Sequence, residues 1–200
     1  MPPAASPNPI LILASASPRR RDLLRRLGIE PARIEPAELD ETPRREELPR
    51  LYAQRLAQEK ATAIAANNPG AFVLGADTVV ACGQRILPKA EDEATARRCL
   101  KLLSGRRHRV LGGVCLIAPG GKRKAVLVTT ILRFKRLTAA DIETYLASGE
   151  WDGKAGGYAI QGRAAAFVSF LSGSYSNVVG LPLFETASML NGVGFVTASA

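Results

Sequence analysis

The sequence predicts a mixed α/β fold, and three observations predict it. Apolar strand-like runs and amphipathic helical segments are interspersed along the whole chain. They do not keep strict βαβ alternation, which favours a mixed sheet with flanking helices over a purely parallel one. The 200 residues contain no internal repeat and no low-complexity linker, so they suit one domain or two small lobes sharing a core.

The elements follow in order. Met1–Pro9 is rich in Pro and Ala, has no charged side chain, and reads as a frayed tail. It lacks the basic and long apolar regions of a signal peptide, so a cytoplasmic protein is expected. Ile10–Ala14 is a short buried strand, and Arg21–Leu27 a helix with Leu23, Leu24 and Leu27 inward and Gly28 as its stop. Arg33–Glu38 suits a second strand, and Asp40-Glu41-Thr42-Pro43 a polar turn. Glu46–Ala66 is a long amphipathic helix, with Pro49 in its first turn and Leu48, Leu51, Tyr52, Leu56 and Ile64 on one stripe. Phe72–Cys82 is the clearest central strand. Glu91–Leu103 is a helix ended by Ser104-Gly105. Arg109–Ala118 and Lys124–Phe134 form a hairpin around Pro119-Gly120-Gly121. Thr138 caps a helix that has Asp141 in its first turn. Ala164–Leu171 is a further strand and Pro182–Leu190 a last helix.

Composition narrows the function. No apolar run is long enough to span a bilayer. Cys82, Cys99 and Cys115 are odd in number and without CxxC spacing, which argues against a disulfide framework or a zinc site and for buried thiols. The formal charge of +9 suggests an anionic partner. Some of the basic residues lie on helices with acids nearby (Glu46, Glu47, Arg50, Arg55, Glu59, Lys60), as on a solvated face.

Five stretches carry chemistry. Ser15-Ala16-Ser17-Pro18-Arg19-Arg20 turns from strand to helix, where free N–H groups, hydroxyls and guanidinium groups favour phosphate; an N-capped helix with solvated arginines fits it too. It is no Walker A loop. Phe72–Val80 places Asp77 inside an apolar strand, and a buried carboxylate is costly unless paired or bound to metal; a strand-end Asp bonding nearby N–H groups fits it too. Gly75 and Ala76 before it leave room for a ligand or backbone to approach. Lys89 precedes a helix and Lys60 lies on one; on residue type alone both read as surface lysines. Gly153–Gly162 suits a tight glycine-rich loop in which Gln161 can read a base edge; a plain turn between elements fits it too. Gly173–Leu183 combines a polar loop with apolar residues that suit packing before the last helix. His108, the sole histidine, reads as a core or loop residue, since no GxSxG elbow accompanies it.

Taken together, SxSPRR, GADTVV, the lysine before the second long helix, LSGxxHxV, KAGxYxIQG and NVVGLPL resemble the Maf family of nucleoside triphosphate pyrophosphatases. The resemblance covers nearly all of the chain after the tail. It implies an elongated mixed sheet with flanking helices, arranged as two lobes around a central cleft in one domain over residues 10–200, and often a homodimer. It also implies a hydrolase that cleaves nucleoside triphosphates between the α and β phosphates with a divalent cation, Mg²⁺ or Mn²⁺. By that likeness Asp77 is the proton acceptor. Arg19, Thr78 and Gln161 fall at positions linked with substrate choice. Ser15, Ser17, Arg20, Glu41, Lys60, Lys89 and Lys154 fall where the family lines its phosphate and metal site, with Glu41 and Asp77 as the metal-binding carboxylates. The IQG segment resembles the branch that acts on dTTP and UTP. The chain departs from the family pattern at Pro88, Ala90, Gly153 and Gly112. A nucleic-acid-binding module is a rival suggested by charge, but no nucleic-acid motif accompanies it. A nucleotide-binding regulator of cell division without turnover, or a related pyrophosphatase acting on modified nucleotides, is the other alternative.

Overall fold

The computed structural model describes residues 9–195; the predicted tail, up to residue 8, lies outside them. The elements in chain order are β1 (Leu11–Ala14), α1 (Pro18–Arg25), β2 (Arg33–Ile34), α2 (Pro49–Ala66), β3 (Phe72–Cys82), β4 (Arg85–Leu87), β5 (Lys89–Ala90), α3 (Glu93–Leu103), β6 (Arg107–Ile117), β7 (Arg123–Phe134), α4 (Ala139–Ala147), β8 (Lys154–Ala155), β9 (Val168–Ser172), α5 (Tyr175–Val179) and α6 (Leu183–Asn191). The main sheet runs β2-β1-β3-β6-β7-β9, with β4 added to β3, and β5 pairs with β8 apart from it. β1 is parallel to β2 and β3, and the other pairs are antiparallel. This is the mixed α/β fold that the sequence predicts.

β1 is apolar at every position because both faces are covered. Leu11 and Leu13 join Leu23, Leu24, Leu181 and Leu190 beneath α1 and α6. Ile12 and Ala14 join Ala57 and Ala61 beneath α2. A third body of core lies under α3 and α4 and includes Leu100, Leu103, Phe134, Tyr145 and Tyr158. The Thr138 cap forms as expected, with a full capping box to Asp141.

Several predicted elements change. Strand pairing after Arg33 stops at Ile34, and the expected strand over 164–171 begins as a single-turn helix over Arg163–Phe167 before β9. The stripe that α2 buries is only in part the predicted one: Leu56 is buried and Tyr52 and Ile64 pack against the core, but the rest of the contact is made by alanines. Leu48 and Leu51 are exposed, while Ala53, Leu56, Ala57, Lys60 and Ala61 are buried. The reason is close approach. A Cβ on Gly75 would fall within 2.8 Å of Ala61 Cβ and nearer still to the α2 backbone, and one on Gly113 would overlap the Ala53 carbonyl. Two glycines in adjacent strands and an alanine face let helix and sheet meet almost backbone to backbone.

His108 is a core residue, as read. Its Nε2 is 2.8 Å from Tyr158 Oη, and its ring meets Phe134 edge to face. Burial pushes its pKa down to about 4. The unfolded chain therefore takes up a proton near pH 6.5 that the folded chain refuses until about 4. Stability is complete above about 6.5 and falls by on the order of 3 kcal/mol as the pH drops toward 4. Urea titrations across this range will show that slope in the wild type. His108→Asn will flatten it; an unchanged slope would place the titration elsewhere.

Candidate active site

The main sheet has a gap along one side of β3. β1 pairs with β3 only as far as Gly75, and the pairing of β4 with β3 begins only at Val80. Among the described residues no strand covers that side of Ala76–Val79. Asp77 and Thr78 sit in this gap, so a strand that is otherwise core opens into a cleft. The chain creates the gap because β1 stops where Ser15-Ala16-Ser17-Pro18 turns into α1, with Pro18 at the first helical position.

The cleft has a volume of about 360 Å³. Every predicted site residue lines it: Ser15, Ser17, Arg19, Arg20, Glu41, Lys60, Asp77, Thr78, Lys89, Lys154 and Gln161. Two groupings organise these residues. On the α2 side, Lys60 Nζ lies 2.7 Å from Asp77 Oδ1 and 2.7 Å from Glu41 Oε1, while Lys89 Nζ donates to Glu41 Oε2 at 3.1 Å. Lys60 and Asp77 are both buried. Lys60 is thus no surface lysine. It shares the face of the alanine stripe, one helical turn from Ala57 and beside Ala61, and that face is pressed onto β3. Burial pushes the Glu41 carboxyl up, but the hydrogen bonds and charges of Lys60 and Lys89 outweigh this and hold it below the usual glutamate range.

On the opposite side, Arg20 is buried and spent on protein partners. Its guanidinium donates to Gly180 O at 2.9 Å, Ser15 Oγ at 2.6 Å and Thr78 Oγ1 at 3.2 Å. Desolvation lowers its pKa, partly countered by the charges of Asp77 and Glu41. Arg19 is only half-buried, with Nε donating to Val179 O at 3.3 Å. Ser15 Oγ also accepts from the Ser17 N–H at 3.3 Å, while the Ser17 hydroxyl makes no capping bond. Of the two arginines, Arg20 shapes the wall and Arg19 is the freer to meet an anion.

The far wall is the loop after α4. β8 pairs with β5, Gly153 N donates to Ala90 O, and Gly156 N donates to Pro88 O. Pro88, Ala90 and Gly153, three of the departures from the family pattern, therefore meet in one strand pair that brings Lys89 and Lys154 to the cleft. Burial, then the charge of Arg19, lowers the pKa of Lys154. Gln161 is exposed at the rim. The loop is fixed from behind: Tyr145 Oη accepts from Ala159 N at 3.0 Å, and the Tyr158 hydroxyl meets His108. At the fourth departure, Gly112, a Cβ would overlap Asn177 Oδ1. Asn177 is buried and donates from Nδ2 to Val110 O and Thr130 Oγ1 across the sheet.

Sequence reasoning read Val178–Gly180 as mere packing. The structure uses the Val179 and Gly180 carbonyls as acceptors for Arg19 and Arg20. No side-chain type signals a backbone acceptor, so only the adjacent polar half of that stretch pointed there.

The donor set suits a hard divalent cation. Glu41 and Asp77 converge on one point from different elements, and Mg²⁺ is commonly held by one or two carboxylates together with substrate phosphates. Among the described residues no cluster of three His, Cys, Asp or Glu side chains forms an all-protein metal cage. No helix among them is long and apolar enough to cross a membrane.

Comparison with known proteins finds relatives over most of the chain. The family model described as "Maf-like protein" matches residues 10–193. A dTTP/UTP pyrophosphatase of Paramagnetospirillum magneticum is 66% identical over 93% of this chain and 98% of its own length. Those of Rhodospirillum rubrum and Caulobacter vibrioides are 62% and 60% identical, over 92% and 94% of this chain and 88% and 97% of their own lengths. Among solved structures, a nucleoside-triphosphatase / dITP/XTP pyrophosphatase of Mycobacterium abscessus is 19% identical, covering 64% of this chain and 74% of that one, with a TM-score of 0.40.

Proposed function

The chain belongs to the Maf family, and from that premise we propose that it hydrolyses dTTP and UTP to the nucleoside monophosphate and pyrophosphate. The observation that carries this reading is the gap in β3. It places one buried carboxylate, Asp77, at the centre of a cleft whose charged side chains, apart from Glu41, are otherwise cationic.

In this reading Asp77 accepts a proton from a water aimed at the α-phosphorus. The water oxygen forms a bond to that phosphorus as the bond to the bridging oxygen breaks, and pyrophosphate leaves with the electron pair. Phosphoryl transfer relies on position and charge neutralisation more than on covalent help from the protein. Arg19, Lys89 and Lys154 meet the developing charge on the leaving group, and Ser17 with the start of α1 offers further donors. Arg20 holds Ser15, Thr78 and Gly180 in one frame, so its part is to fix the cradle. Glu41 and Asp77 would hold a divalent cation, Mg²⁺ or Mn²⁺, which when bound supplies further charge neutralisation on the phosphates. Thr78 and Gln161, with Arg19, select the base; a site built on hydrogen bonds rejects analogues that leave its polar groups unpaired. The reading extends to a cytoplasmic protein that can pair as a homodimer, with no nucleic acid or membrane as partner.

Pyrophosphate release from a panel of nucleoside triphosphates with Mg²⁺ or Mn²⁺ tests the proposal. Release confined mainly to dTTP and UTP is the expected result. Folded protein that binds these nucleotides and releases nothing would instead make it a nucleotide-binding regulator. Gln161→Glu should lower turnover of dTTP and UTP by about tenfold or more, because the substitution replaces a donor–acceptor pair with acceptors alone.

A further inference from the structure

Lys60 occupies the place where the two proposed cation-binding carboxylates meet. Its ammonium lies 2.7 Å from an oxygen of each, Glu41 approaching from the loop before α2 and Asp77 from β3. Only 7% of Lys60 is exposed. A buried ammonium is stable when paired, and two buried or half-buried carboxylates beside each other repel unless something positive stands between them. With Lys89 on the second Glu41 oxygen, both carboxylates are paired by ammonium groups, and the buried Arg20 stands near enough to feel their charge as well. A divalent cation bound by the same oxygens brings two further charges to within a few ångströms of the Lys60 ammonium, where like charges compete.

We propose that Lys60 is a built-in counter-ion that competes with the divalent cation for Asp77 and Glu41 and passes to the substrate phosphates when the cation arrives. The proposal rests on the hydrolase reading for the cation and the nucleotide. It makes their binding mutually dependent. A free cation must evict an ammonium that pairs with no other carboxylate among the described residues. A cation that arrives with a triphosphate brings phosphate oxygens able to receive that ammonium. The two ligands therefore strengthen each other's binding by the same factor.

Calorimetric titration with Mn²⁺ alone, without nucleotide, tests this. Lys60→Met and Lys60→Gln should bind Mn²⁺ at least about tenfold more tightly than the wild type, the lower end of what one charge at about 4–6 Å does to a neighbour's ionisation. Lys60→Arg keeps the charge and should stay close to the wild type. If the methionine variant does not fold, the glutamine variant carries the test, since its amide can donate to either carboxylate. Neutral variants that bind Mn²⁺ no more tightly than the wild type would overturn the proposal. So would a smaller gain in unfolding temperature on adding Mn²⁺ to them than to the wild type. The two readings fail separately. A wild type that releases no pyrophosphate, with the expected order of Mn²⁺ affinities, sinks the hydrolase and leaves the counter-ion. Active wild type without that order does the reverse.

Discussion

Asp77→Asn lowers pyrophosphate release from dTTP and UTP by about 10²–10⁴-fold, the usual contribution of a positioned general base. Nucleotide binding changes by only a few-fold. The asymmetry follows from what the substitution leaves in place. Arg19, Lys89 and Lys154 still line the cleft, and Lys60 keeps Glu41 as a partner. The amide fills the space of the carboxylate but accepts no proton from water at working pH. Single-turnover release and equilibrium binding of a non-hydrolysable triphosphate separate the two effects. Near-normal turnover in the variant would remove Asp77 from the proton-accepting role. Equal loss of binding and turnover would make it a ligand-holding group instead.

Gly75→Val destabilises the protein by about 3 kcal/mol or more, at or beyond the upper end of ordinary overpacking costs. Its Cβ would meet backbone atoms of Ala57 and Ala61 on α2, which cannot turn aside as a side-chain tip can. For a chain of this size the unfolding temperature should fall by roughly 6–12 °C. Activity should fall too, because α2 can relieve the overlap only by moving out, and it carries Lys60 with it. Gly70→Ala is the control: a Cβ there meets nothing within 4 Å, and thermal melts should be unchanged. A Gly75→Val protein that melts with the wild type would mean that α2 stands farther from the sheet than described.

These two positions also show what the sequence makes legible. Asp77 stands out because an acid inside Phe72–Val80 breaks an apolar run, and burial makes a lone acid expensive. The turn before α1 stands out because Pro18 and the two arginines mark a helix start with anion-binding chemistry. Lys60 does not stand out. Its neighbours in sequence are the charged residues of a solvated face, and its burial depends on a helix packed through alanines, which local pattern ranks below leucines. Leu48 and Leu51 mislead for the same reason: they supply the periodic signal, while the small residues supply the contact. The carbonyls of Val179 and Gly180 are invisible in any reading of side chains, since every residue has one. The ordered set of motifs recovers what local chemistry misses, because Lys60 and Lys154 gain meaning only beside SPRR and GADTVV.

The Arg20 tie also sets an order of events during synthesis. Its partner carbonyl at Gly180 lies 160 residues downstream. At about 5–20 residues per second, a ribosome needs roughly 10–30 s to make that interval. Until then, the guanidinium at the start of α1 lacks the acceptor that buries it, and one wall of the cleft is missing. The nascent chain is thus born unable to close the proposed phosphate cradle, and in that reading nucleotide capture becomes a property of the finished molecule.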